Sequence, residues 1–304
     1  MNSSAELPFV FGGLEPSASD FEKSRVLIWP VPFEKTVSYG RGTGEGPSSL
    51  INASRYMELY DEEIGGETCE IGIHTLQAIG VDLEPGQMMA ELEQEAGRLL
   101  DTGKFLCMLG GEHSITAPVV RAFARRFSKL SVLQIDAHAD LRDSFEGSLH
   151  SHASAMRRVL ESCPAVQVGI RSLSIEEARA IPSLPTRIFY AKDIAGRTDW
   201  VDAAVDSLSE NVYLTIDIDG LDPSLVPDTG TPEPGGLLWY EVLALIRTLS
   251  AKRNVVGMDL VELSGSSTSS VSSFLAAKLV YKTLGYVFGG LVPKLASAAL
   301  EDKR

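Results

Sequence analysis

Cysteine is scarce and poorly placed for pairing. Cys69, Cys107 and Cys163 lie far apart and none belongs to a C-x-x-C pair. Neither a disulfide framework nor a thiolate zinc site is therefore expected. Positive charge is also short: 27 Lys and Arg face 41 Asp and Glu, for a formal net charge of −14. Such a field repels phosphate backbones, so no nucleic-acid partner is expected, and it favours approach of a cation. An acidic surface that only keeps the chain soluble is the plainer explanation. No apolar run reaches the roughly 18 residues of a membrane helix, so no membrane association is expected. The start, MNSSAELPFV, has no basic residues ahead of an apolar core. That argues against a signal peptide and makes a reducing cytoplasm the default compartment.

What remains is an ordinary globular composition, 44% hydrophobic and 22% charged over 304 residues, enough to bury a substantial core. Residues 1–24, rich in Gly, Pro and Ser, read as an irregular arm, and 25–304 as one domain. RVLIWPV (25–31) is an apolar strand, and VSYGRGTGEGPSSL (37–50) is glycine punctuation leading into a helix around 48–57. ELEQEAGRLLD (91–101) has helical spacing. Strand-like runs then alternate with helical stretches: KFLCMLG, helix 115–127, LSVLQID, helix 152–161 and AVQVGI. The alternation continues through TRIFYA, helix 199–208, NVYLTID, helix 239–249, NVVGMDL and a last helix near 271–288. Alternation of this kind predicts an α/β domain of about eight strands, mainly parallel and covered on both faces. Ligands in such sheets sit beyond the carboxyl ends of the strands.

Three of those ends carry unusual chemistry. KFLCMLGGEHS ends with His113 after a Gly-Gly turn, LSVLQIDAHAD with Asp136, His138 and Asp140, and NVYLTIDIDGLDPS with Asp217 and Asp219. Residues two apart on an extended chain share a side, so each group can converge on one point. Any one fragment has a bland reading: D-x-H as a turn or surface pair, Asp222-Pro223 as a turn, and GGEHS as a helix start with Ser114 as its cap. Together, four carboxylates and two imidazoles would repel or force protonation unless something offset them. Two divalent cations would do so, and oxygen with imidazole ligation suits Mn²⁺, with Zn²⁺, Fe²⁺, Co²⁺ and Ni²⁺ as alternatives.

At this point the chain resembles the ureohydrolases, the arginases and agmatinases and their relatives. GGEHS, DAHAD and DIDGLDP occur intact and in the family's order. The likeness extends through VPFEKTVSYGRGTGEGPSSLINAS, LRDSFEGSLHSHASAMRR, TGTPEPGGL and GMDLVEL. The resemblance implies a three-layer α-β-α fold of the arginase/deacetylase type and two Mn²⁺ per subunit. His113, Asp136, Asp140 and Asp217 would hold one ion, and His138, Asp136, Asp217 and Asp219 the other. It implies attack by a metal-bridging hydroxide on a guanidinium carbon, with release of urea and an amine. His152, Glu262 and Asp140 are the catalytic residues it points to. His152 would donate a proton to the leaving amine, Glu262 would pair with the guanidinium, and Thr231 would orient Glu262. For Glu262 a strand-end salt bridge is the bland reading. His150 reads as a solvated loop residue, His74 as a surface or packing residue, and Asp222 as part of a turn.

An agmatinase-like member is implied, turning agmatine into putrescine and urea. The position that carries an asparagine in arginases is Arg142 here, which argues against arginine and would attract a carboxylate if uncompensated. Guanidinobutyrate, guanidinopropionate, formimidoylglutamate, guanidine and, though disfavoured, arginine are the alternative substrates. Two stretches depart from the family pattern: Gly44 and Glu45 stand where an arginine is common, and Gly265–Ser273 is small and polar. A non-catalytic metal-binding subunit is the reading from another class, disfavoured because all six ligands are present. Deacetylases, with a single zinc, lack the full ligand set. Relatives imply a homo-oligomer, trimer or hexamer.

Overall fold

The computed structural model describes residues 9–265 and 270–294. In chain order its strands are β1 (Val26–Val31), β2 (Tyr60–Asp61), β3 (Gly66–Glu67), β4 (Ile73–Thr75), β5 (Phe105–Gly110), β6 (Leu130–Ile135), β7 (Ala165–Ile170), β8 (Thr186–Tyr190), β9 (Asn211–Asp217) and β10 (Asn254–Val261). β2 and β3 form a small antiparallel hairpin. The other eight make one sheet, ordered β4-β1-β5-β10-β9-β6-β7-β8, and every pairing in it is parallel.

The strands are nearly continuous apolar runs because both faces are covered. Along β1, Val26 and Ile28 enter one core, while Leu27, Trp29 and Val31 enter the other. On the first side lie α1 (Gly46–Ser54), α7 (Trp200–Asp206), α8 (Trp239–Lys252) and α9 (Val271–Phe288). On the second lie α2 (Pro85–Asp101), α3 (Thr116–Arg126) and α4 (Ala155–Val159). These are the three layers expected. No described helix is long and apolar enough to cross a membrane.

Several elements differ from the sequence reading. α2 starts six residues earlier than the helical spacing placed it, because Pro85 fits a first helical turn, where its missing N–H is not needed. The edge strand β4 is only three residues long and too short to show a period. α5 (Ile175–Ala180) was also not expected; the Ser174–Glu177 capping box starts it. Ser114 is not a cap: its hydroxyl donates to Glu112 Oε1 at 2.6 Å. Within the arm, Phe11 and Leu14 are buried in the first core, and the Gly12 amide donates to Ser54 Oγ at 2.8 Å.

Candidate metal centre

β5, β10, β9 and β6 are neighbours at mid-sheet, so their carboxyl ends open side by side. His113 follows β5, Glu262 follows β10, Asp217 closes β9, and Asp136 follows β6. The turn before His113 admits only glycine at 111, where a Cβ would lie 2.1 Å from the Phe33 carbonyl oxygen. Gly220 has the same function beside Asp136, where a Cβ would lie 2.7 Å from its amide nitrogen.

These turns bring together all six residues singled out as metal ligands. His113 Nδ1 lies 3.2 Å from Asp136 Oδ2, 3.1 Å from Asp140 Oδ2 and 3.4 Å from Asp217 Oδ2. His138 Nδ1 lies 3.0 Å from Asp219 Oδ2 and 3.6 Å from Asp136 Oδ1. Two groups with metal-ligand spacing result, His113–Asp136–Asp140 and Asp136–His138–Asp219, with Asp136 common to both. Asp140 reaches the cluster with φ at +52°, a left-handed conformation that non-glycine residues adopt sparingly and mostly where structure around them compels it.

Surrounding groups hold the cluster in place. Thr215 Oγ1 donates to Asp259 Oδ1 at 2.5 Å, so its proton is committed, and His113 Nε2, 3.0 Å away, must be the donor to it. His113 Nδ1 is thereby left to face the acids, and it is buried without a hydrogen-bond partner. Gln134 Nε2 donates to Asp136 Oδ2 at 2.5 Å, and Gln167 Nε2 donates to Gln134 Oε1 at 2.5 Å. Arg171 Nη2 donates to the carbonyls of Asp219 at 2.7 Å and Glu233 at 2.8 Å, tying two loops to the end of β7. None of these supporting residues was identified from sequence. The available signal was a polar residue interrupting an apolar strand, as Gln134, Thr215 and Asp259 do.

Electrostatics show what the cluster wants. Burial raises the Asp217 pKa well above the usual carboxylate range, and Asp219 and Asp136 raise it further. Burial opposes charge on His138, yet Asp219 and Asp136 outweigh it and push its pKa up to about 12. Burial likewise opposes charge on His113, and Asp136, Asp140 and Asp217 still push it well above its ordinary value. Acids and imidazoles must share protons here unless cations replace them. An oxygen-rich set with two imidazoles and no thiolate, including an orphaned buried nitrogen, fits divalent metal ions.

His138, Asp140, Asp217 and Asp219 of the cluster line a cavity of about 240 Å³, together with Arg142, His152, Thr231 and Glu262. Glu262, at φ +61°, accepts the His113 amide at 2.7 Å on Oε1, and its own carbonyl accepts Thr229 Oγ1 at 2.9 Å. Burial, then the Glu112 and Asp219 carboxylates, raise its pKa well above normal against the His113 amide. A buried carboxyl of this kind gains from a cationic partner. Thr231 lines the same cavity, with no hydrogen bond from its hydroxyl to Glu262 among the described residues; the His113 amide meets the carboxylate and Thr229 the main-chain carbonyl. His152 faces the cavity, with its ring edge-on to Phe145 at 5.9 Å. His150 is not among the lining residues, and burial with Arg121 and Arg158 lowers its pKa. His74 has a packing role, its Nδ1 2.7 Å from the Ser19 carbonyl oxygen and its ring edge-on to Phe21. Asp222 caps a turn, accepting the Ser224, Gly235 and Gly236 amides, each at 3.0 Å.

Arg142 is compensated. Its Nε lies 3.9 Å from Glu177 Oε2 and its guanidinium rests 5.1 Å from the Phe145 ring centroid. The two departures from the family pattern touch each other. The Gly265 amide donates to the Gly42 carbonyl at 2.8 Å, and a Cβ on Gly265 would lie 2.5 Å from the Glu45 carbonyl oxygen. Residues 266–269 of the second departure lie outside the described residues.

The Arginase family model matches residues 24–285. A protein of Synechocystis sp. named N(1)-aminopropylagmatine ureohydrolase is 42% identical over 277 residues, covering 88% of this chain and 90% of that protein. The agmatinase of Pyrococcus horikoshii is 34% identical over 278 residues, covering 90% of this chain and 95% of that protein. Among solved structures, the agmatine ureohydrolase of Thermoplasma volcanium superposes with a TM-score of 0.82 at 31% identity, covering 90% of this chain and 94% of that one.

Proposed function

The chain belongs to the arginase family, whose members hydrolyse guanidino carbon–nitrogen bonds, and from that premise we propose that its substrate is agmatine or N(1)-aminopropylagmatine. The longer compound enters because the 42% identical relative is named for it. In this reading two Mn²⁺ ions are the cofactor, one held by His113, Asp136, Asp140 and Asp217, the other by His138, Asp136, Asp217 and Asp219. When bound, such a pair supplies Lewis acidity and makes water a nucleophile near neutral pH.

The chain's own residues do the rest. Glu262 pairs with the planar guanidinium, a geometry suited to carboxylate contact. The His113 amide holds its carboxylate through Oε1, while Thr229 anchors its main-chain carbonyl. His152, on the cavity wall, delivers a proton to the leaving amine nitrogen, which departs poorly as an anion. The cationic tail extends past Arg142 and Phe145 toward solvent. The observation that carries this reading is Asp136 shared by two histidine–carboxylate groups whose His138, Asp140 and Asp219 line the same cavity as the buried Glu262.

The test is urea release from agmatine and from N(1)-aminopropylagmatine by manganese-loaded protein, beside Asp136→Ala. Urea from at least one compound, abolished in the variant, is expected. No urea from either, or equal rates in both proteins, would refute the proposal.

A further inference from the structure

Glu112 immediately precedes His113 and is fully buried. A buried carboxylate needs donors to offset its desolvation, and four converge on it. Oε2 accepts the backbone amides of Lys35 and Thr36, both at 2.6 Å. Oε1 accepts the hydroxyls of Thr36 at 2.7 Å and Ser114 at 2.6 Å. The loop after β1 is thus clamped to the end of β5 across 76 residues of sequence.

The clamp continues to the cavity wall. A threonine hydroxyl has one proton, and that of Thr36 is committed to Glu112. Its oxygen can then only accept, and it takes the His152 amide at 3.0 Å and stands 3.4 Å from His152 Nδ1. Two residues on, Ser38 Oγ stands 3.3 Å from His152 Nε2. One short loop therefore meets the backbone and both ring nitrogens of His152.

We propose that Glu112 and Thr36 are positioning residues for His152, the Glu112 carboxylate orienting the Thr36 hydroxyl so that it seats the imidazole at the cavity wall. The inference rests on the reading of His152 as proton donor. It makes two adjacent residues organise the whole site: the His113 amide aims Glu262, and Glu112 aims His152 through Thr36.

The test is a double-mutant cycle on manganese-loaded full-length protein with Thr36→Val, Thr36→Ser, His152→Ala and Thr36→Val/His152→Ala, with metal content and circular dichroism checked for each. A small misplacement of a catalytic group costs up to about a hundredfold. Thr36→Val is therefore expected to lower kcat by about tenfold to a hundredfold with KM little changed, and Thr36→Ser to recover most of that loss. Thr36→Val should add no further loss in the His152→Ala background, because the two act as one unit. Glu112→Gln, which sets an amide against donor groups, should give the same loss and the same failure to add. Multiplicative losses, or an unaffected Thr36→Val with an impaired His152→Ala, would overturn the positioning role alone. Wild-type turnover by His152→Ala would remove the role of His152 itself, and the positioning role with it.

Discussion

The His113 amide donates to Glu262 Oε1 at 2.7 Å, so the residue whose imidazole meets the acidic cluster also holds the buried carboxylate beside it. That contact ties the proposed guanidinium partner to the candidate metal cluster.

Glu262→Gln keeps an acceptor for the amide but loses the charge. A hydrogen bond to a charged group is worth about 1.5–3 kcal/mol, so kcat/KM for agmatine should fall by about tenfold to a hundredfold. Thr229→Val, which frees the Glu262 carbonyl, should impair turnover more than Thr231→Val. Steady-state urea assays on the three variants decide the order; a Thr231→Val defect as large as that of Glu262→Gln would contradict it.

Asp136 belongs to both histidine–carboxylate groups, whereas Asp219 belongs to one. Asp136→Asn should bring bound manganese below one ion per chain, while Asp219→Asn should retain about one. Elemental analysis after manganese loading and desalting reads this directly. Removing the metal with a chelator should lower the melting temperature, and readdition should restore it, since a ligand at about a thousand times its Kd stabilises by about 4 kcal/mol.

Arg142 places a positive charge on the wall of a cavity proposed to take a cation, softened by Glu177 and Phe145. Arg142→Met should lower KM for agmatine by about threefold to tenfold, as a partly screened like charge is removed. KM for guanidinobutyrate, whose tail is anionic, should rise. A parallel change for both substrates would mean that Arg142 acts through packing.

Lys282 Nζ and Asp61 Oδ2 form a buried ion pair at 2.9 Å, joining α9 to β2. Burial works to raise the Asp61 pKa, but Lys282 and the Ile64 and Glu63 amides outweigh it and hold it below the ordinary 3.8. Burial works against charge on Lys282, and Asp61 outweighs it, so its pKa lies above the ordinary 10.5. The Asp61 contribution to stability is therefore complete above its unfolded pKa and fades as pH falls through the lower folded value. The Lys282 contribution is complete below its unfolded pKa and fades as pH rises through the higher folded value. Lys282→Met, which strands a buried carboxylate, should cost about 3–5 kcal/mol at pH 7 in urea denaturation. It should also flatten the acid limb of the stability profile, because the lowered Asp61 pKa depends on the lysine. An unchanged acid limb would assign that limb to other carboxylates.

Legibility followed the range of each signal. β5, β6 and β9 announced themselves as apolar runs, and their ends displayed the six cluster residues in plain motifs. β4, at three residues, carried no period. TGTPEPGG offers two threonines two residues apart, and spacing does not say that Thr229 reaches back to the Glu262 carbonyl while Thr231 lines the cavity.

Taken alone, the amino-acid sequence determined the strand–helix alternation, and with it the sheet and the donor types gathered at its rim. Those properties are local: apolar periodicity sets the elements, and alternate positions along an extended end share one side. Tertiary structure alone decided which distant groups hold those donors still. Thr36 meets Glu112 across 76 residues, and Thr215 meets Asp259 across 44. Such pairs leave no mark in sequence spacing, because a buried hydroxyl or carboxylate is satisfied by whatever the folded chain brings within about 3 Å.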